Sequence, residues 1–208
     1  MPLYKTITPN SETFVKIWKI TESYDYLMDK VNLKPVALER VLGMKSELHR
    51  RGFLSVRHLL QEFGYTDADL LYDENGKPHL KDGKQISITH SFEFSAVIIS
   101  DVKVGVDIEK QRDKIHVIAH KFIGYEFDYL NENDADYIKK LTTIWCVKES
   151  LYKLFATPGL SFKKCFLVIP FSIHDTETTA WIDYKSKKHR YNIHFLEFEG
   201  FTCAYAMQ

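Results

Sequence analysis

Two carboxylates interrupt a run that should hide its side chains. In VGVDIE (104–109) the apolar residues Val104, Val106 and Ile108 read as strand, and Asp107 and Glu109 stand among them. Residues two apart on a strand point to one side, roughly 6.6 Å apart along the chain, so the two charges repel unless a cation stands between them. A Lys or Arg from a neighbouring element would serve. So would a hard divalent metal, since carboxylate oxygens suit Mg²⁺ and Mg²⁺ also takes phosphate oxygens. The plain alternative is a solvated pair on the open face of an edge strand.

A third carboxylate lies in IWCVKESLYKLF (144–155). On a helical wheel Ile144, Val147, Leu151, Leu154 and Phe155 fall within an arc of about 100°, the core face. Trp145, Glu149 and Lys153 are four apart and share another flank, with Lys148 and Tyr152 between that flank and the core. Taken alone, this is a surface helix with a Glu–Lys pair contributing about 0.3 kcal/mol. Glu149 is the natural third ligand for a metal; spacing leaves its convergence open. A glycosidase would need its two carboxyl groups on opposite sides of a sugar bond, not adjacent on one strand. No dinucleotide, P-loop, zinc-protease or serine-hydrolase motif occurs, and DENG (73–76) lacks the alternating ligands of a calcium loop.

The elements that must position these groups read as α+β. TFVKIWKI (13–20) has strand spacing, and a long helical pattern runs from about Pro35 to Phe63, with Gly52 expected to break or kink it. DENGKP (73–78) is a turn cluster, followed by the strands QISITHS, SAVIIS and VGVDIE. A second helical stretch covers about His116 to Phe155, interrupted near NENDAD (131–136) and stopped by TPG (157–159). KCFLVIP, TAWIDY, YNIHFLEF and FTCAYAM close the chain as strands. Each half is helices followed by strands, which predicts two similar α+β lobes, 1–102 and 103–208, each with helices on a small, mostly antiparallel sheet. No flexible linker separates them.

Bulk properties narrow the class. The chain has 208 residues, 45% hydrophobic and 27% charged, with 28 basic and 28 acidic side chains. A balanced charge argues against bulk binding of nucleic acid or membrane. Cys146, Cys165 and Cys203 form no CxxC pair and read as free thiols in a reducing compartment. No signal peptide and no apolar run near 18 residues occurs, so the expected location is the cytoplasm.

Taken in order, GKPHL (76–80), ISITHS (86–91), VGVDIE (104–109) and WCVKESLYK (145–153) closely resemble the 4'-phosphopantetheinyl transferases, above all the monomeric, surfactin-synthetase-activating type. Any one stretch is weak; all four in this order and spacing are specific. The resemblance implies an enzyme that moves phosphopantetheine from coenzyme A to a serine of an apo acyl or peptidyl carrier protein, in lipid or secondary-metabolite synthesis. It also implies a monomeric pseudo-dimer of two lobes with coenzyme A in the cleft between them. The alternatives are a non-catalytic module binding coenzyme A or the carrier, and another metal-dependent phosphotransfer enzyme.

Carried over residue by residue, the resemblance makes Asp107, Glu109 and Glu149 the ligands of Mg²⁺, with Mn²⁺ as an alternative. Glu149 is also the implied base for the carrier serine, in competition with a metal-activated water. Lys148 and Lys153 match lysines that contact phosphate or stabilise the leaving group. His90 and Ser91 match a coenzyme A phosphate contact, although Thr89 stands where serine is usual. Gly76, Lys77 and Pro78 match the loop near adenine and ribose. HRRGFLSVR (49–57) resembles the family's basic helix, so Arg50 and Arg57 are the implied phosphate contacts, with Gly52 where an acidic residue is frequent. The basic stretch 109–122 is the expected carrier-docking segment, since such carriers are acidic around their serine.

Overall fold

The computed structural model describes residues 3–208, which fold as two compact units, one ending at Val102 and the other running Lys103–Gln208. Alternation builds the sheet of the first unit. Strand β2 (Thr13–Lys19) turns Val15 and Ile17 inward, both fully buried, and pairs antiparallel with β1 (Leu3–Asn10) and β6 (Phe94–Ser100). Strand β5 (Gln85–Ser91) completes the order β1-β2-β6-β5. The sequence pattern does not reveal β1, whose side chains are mostly exposed and carry no apolar stripe.

Three helices follow β2: α1 (Tyr24–Asp29), α2 (Pro35–Gly43) and α3 (Glu47–Glu62). The expected break in the long helical pattern exists, but at Met44–Ser46 rather than Gly52. Ser46 caps α3 there, its hydroxyl accepting from the His49 amide at 3.4 Å. Gly52 lies inside an unbroken helix for a packing reason: a Cβ at that position would stand 3.0 Å from His90 Nδ1. Helix α3 is buried from Gly52 through Leu60, with Leu54, Leu59 and Leu60 at the centre of the core. A hairpin of β3 (Leu70–Tyr72) and β4 (Pro78–Leu80) precedes β5.

In the second unit, strand β7 (Val104–Lys110) forms one edge of a five-stranded antiparallel sheet. Next come α4 (Lys114–Phe122), a 3₁₀ turn at Tyr125–Asp128, α5 (Tyr137–Phe155) and the one-turn α6 (Phe162–Cys165). The strands β8 (Phe166–Val168), β9 (Glu177–Tyr184), β10 (Lys187–Phe198) and β11 (Phe201–Met207) then give the order β7-β11-β10-β9-β8. VGVDIE therefore pairs with the last strand of the chain, not with the strands that precede it. Ile144, Val147, Leu151 and Leu154 enter the core as the wheel predicts, beside Ile182, Ile193 and Phe195. Both units are α+β with antiparallel sheets.

Candidate active site

Helix α5 lies across β7 and β11, and Gly105 permits the approach. A Cβ on Gly105 would overlap the carbonyl oxygen of Ser150 and sit 3.1 Å from the Leu154 amide nitrogen. Only a residue without a side chain lets helix and strand backbones come this close. Asp107 follows two residues later on the same side of the strand, so it faces α5 rather than water and is 4% exposed. The edge position expected of this strand is real; the solvated face is not, because α5 covers it.

The cation beside Asp107 is, in this structure, Lys153. Its ammonium donates to Asp107 Oδ1 at 2.7 Å and to the Val106 carbonyl at 3.0 Å. Glu149, one helical turn earlier, belongs to the same electrostatic cluster. Burial pushes its carboxyl up to about 7; the charge of Asp107 adds to this, Lys153 opposes it, and Glu109 adds again. Buried Cys146 feels the same field: burial first, then Asp107 and Glu109, raise its thiol and leave it an inert neutral group.

Three carboxylates from one strand and one helix form an all-oxygen donor set suited to a hard divalent cation. The donor types fit such a cation, which would oppose both the burial and the like charges that raise Glu149. As the side chains stand, Lys153 holds Asp107, and among the described residues no three His, Cys, Asp or Glu side chains are gathered closely enough to hold a metal ion.

Other expected site residues have partners of their own. Lys148 is fully buried, and its ammonium donates to Glu126 Oε1 at 2.8 Å and to the carbonyls of Phe122 at 2.7 Å and Phe162 at 3.2 Å. Those acceptors account for the three protons of the ammonium. Arg57 is 4% exposed, donates to Asp67 Oδ1 at 3.0 Å and stacks 3.5 Å from the Phe53 ring centroid. Arg50 caps the end of α2, its Nε donating to the Met44 carbonyl at 2.7 Å, and lies over Tyr24.

His90 is exposed at the end of β5, against Gly52 of α3 and with its ring 6.4 Å from that of His49; Ser91 beside it is buried. Gly76 and Lys77 lie in the turn of the β3–β4 hairpin, and Pro78 opens β4. Asp73 organises that turn by accepting from the Asn75 and Lys77 amides at 2.9 Å each, and Gly76 takes φ +80°. The His79 side chain and the same amides hold the Asp73 carboxyl below its ordinary value.

Sequence reasoning missed Glu126 and His49. Glu126 is fully buried and its carboxylate accepts from Lys148, the Val168 amide at 2.9 Å and the Gly124 amide at 3.1 Å, tying the 3₁₀ turn to α5 and β8. In the sequence it is one acidic residue in GYEFD, with nothing to mark it as buried. His49 is visible in HRRGFLSVR, but only the packing of His90 on α3 brings the two rings together.

The family description "4'-phosphopantetheinyl transferase superfamily" matches residues 103–206, half of the 208 residues. The chain belongs to this superfamily. The matched region is the second unit, from β7 through β11, and it contains Asp107, Glu109, Lys148, Glu149 and Lys153. The chain is also 27% identical over 155 residues to 4'-phosphopantetheinyl transferase gsp of Aneurinibacillus migulanus. That similarity covers 71% of this chain and spans 62% of the relative's length. Among the described residues of this superfamily member, no helix is long and apolar enough to cross a membrane.

Proposed function

We propose that this protein transfers 4'-phosphopantetheine from coenzyme A to a serine of an apo acyl or peptidyl carrier protein, with Mg²⁺ or Mn²⁺ held by Asp107, Glu109 and Glu149. The observation that carries the reading is the electrostatic coupling of Glu149 on α5 to both β7 carboxylates, in a chain of this superfamily. When bound, the metal would neutralise the pyrophosphate and stabilise charge on the leaving phosphate.

Glu149 is the base in this proposal. It stands beside the β7 carboxylates, and the carrier serine must lose its proton as its oxygen attacks phosphorus. Lys153 supplies a cation at the edge of the same site, where negative charge grows. His90, with His49 beside it at the first turns of α3, supports a phosphate contact, since helix N-termini favour anions. The Gly76–Lys77–Pro78 stretch is proposed to receive the nucleoside. Lys148 and Arg57 enter as framework, because their buried ion pairs already engage them.

Helix α4 supports the docking of an acidic carrier. Lys114, Val117 and Lys121 are exposed along one side of it, so an apolar contact is flanked by positive charge. Reversing the charges of Arg112 and Lys114 is expected to raise the carrier KM and leave coenzyme A binding unchanged.

The decisive experiment incubates several apo carrier proteins with coenzyme A and Mg²⁺ and reads intact mass. Gain of the phosphopantetheine mass with the wild type, and its loss with Asp107→Ala and Glu149→Gln, is the expected result. No gain on any carrier would overturn the function, and full activity in both variants would overturn the site.

A further inference from the structure

Lys153 leaves α5 on the same flank as Glu149, but its ammonium is committed to β7. It donates to Asp107 Oδ1 at 2.7 Å and to the Val106 carbonyl at 3.0 Å, with the Asp107 side chain 6% and the Lys153 side chain 28% exposed. Solvent screens a pair this enclosed far less than an ordinary surface pair. Asp107 is also one of the three carboxylates that suit a divalent cation. An ammonium and a metal compete for the same carboxylate, and two cations a few ångströms apart in a half-buried site repel strongly.

We propose that Lys153 is the resting counter-ion of the acidic site, and that a divalent cation loads by displacing its ammonium from Asp107. The inference rests on the metal reading given above and goes beyond it. While Lys153 holds Asp107, only the fraction of molecules with the pair open can bind metal, and the apparent affinity falls by that fraction. Loading then frees a cation at the rim of the site. An anionic phosphate that takes up the freed ammonium keeps Asp107 open, so metal and pyrophosphate ligands strengthen each other's binding through this one side chain.

The test measures Mn²⁺ binding to metal-free protein by titration calorimetry, without coenzyme A, for the wild type, Lys153→Met and Lys153→Arg. With its competitor removed, Lys153→Met is expected to bind Mn²⁺ at least about tenfold more tightly, while Lys153→Arg, which keeps the charge, stays near the wild type. Unchanged or weaker binding by a folded Lys153→Met protein overturns the counter-ion role and leaves the metal site standing. Absence of Mn²⁺ binding in all three proteins overturns both. If Lys153→Met does not fold, the Lys153 ammonium resonance of the wild type, assigned by its loss in Lys153→Arg, decides the matter. It is expected to shift and exchange faster with water at saturating Mg²⁺; a resonance unmoved by saturating metal refutes the displacement.

Discussion

The ammonium of Lys148 and the carboxylate of Glu126 meet at 2.8 Å with neither side chain exposed to solvent. Burial lowers the Lys148 pKa, and Glu126 works against that shift by favouring the charged form. A pair like this costs desolvation on both sides, so its removal as a unit and its breakage have opposite consequences. Glu126→Ala leaves a buried, unpaired ammonium and is expected to lose about 3–5 kcal/mol of stability by denaturant titration. The double replacement Glu126→Leu/Lys148→Met is expected to recover part of that loss, since it removes the unpaired charge but also takes away the partners of the Val168 and Gly124 amides and of the Phe122 and Phe162 carbonyls. Coenzyme A affinity within about threefold of wild type in the double variant would place Lys148 in the framework; a loss of about tenfold or more, about 1.4 kcal/mol, would restore it to the phosphate site.

Gly105 sets the distance between α5 and β7. Gly105→Ala brings a methyl group onto the Ser150 carbonyl, and backbone on both sides leaves it nowhere to go. The expected outcome is a loss of several kcal/mol, of the overpacking kind that typically costs about 1–3 kcal/mol even where side chains can yield. Where the variant folds, α5 must move outward, and the coupling that raises Glu149 weakens. Thermal melts and carbon-13 titration of the Glu149 carboxyl check the two effects separately.

Gly52→Ala is the contrasting case. The added methyl meets the His90 ring at 3.0 Å, and a ring on an exposed strand end can shift by the few tenths of an ångström required. Alanine gains up to about 1 kcal/mol of helix propensity over glycine, so stability is expected to stay near wild type or rise. Coenzyme A affinity should fall severalfold because His90 is displaced. Unchanged affinity with a shifted His90 resonance would remove His90 from the phosphate site.

Glu149 predicts a pH dependence in the metal-free protein. Its folded-state value of about 7 lies above the ordinary 4.5, so folding favours the protonated form. The associated stability is complete below about pH 4.5 and is lost as pH rises through 7, on the order of 3 kcal/mol across that window. In EDTA, Glu149→Gln should therefore melt higher than wild type at pH 8 and converge with it near pH 5. Asp107, Lys153 and Glu109 are the charged groups that act on it, and they are unchanged in the comparison. Equal melting temperatures at pH 8 would show that burial and the neighbouring carboxylates do not raise Glu149 as described.

Much of the fold was legible in local spacing. Period-two runs located β2, β5, β6, β7 and the four closing strands, and the wheel of α5 correctly separated Ile144, Val147, Leu151 and Leu154 from Trp145, Glu149 and Lys153. Strand β1 escaped because an exposed edge strand needs no apolar stripe. Gly52 misled because glycine within a helix reads as a break, whereas here it makes room for His90, 38 residues later.

By itself, the sequence determined that two carboxylates share one side of a strand, that Glu149 and Lys153 share one flank of a helix, and that four short stretches stand in a specific order. Those are consequences of backbone period, which acts over a few residues. Which partners those groups meet was decided only in three dimensions. Lys153 reaches Asp107 across 46 positions, Arg57 meets Asp67 across 10, and Lys148 finds Glu126 across a loop and a helix. Side-chain type makes each a plausible surface charge. Burial by neighbouring elements engages Lys148 and Arg57 in ion pairs of their own, and Gly105 lets α5 sit close enough to β7 for Glu149 to feel Asp107 and Glu109.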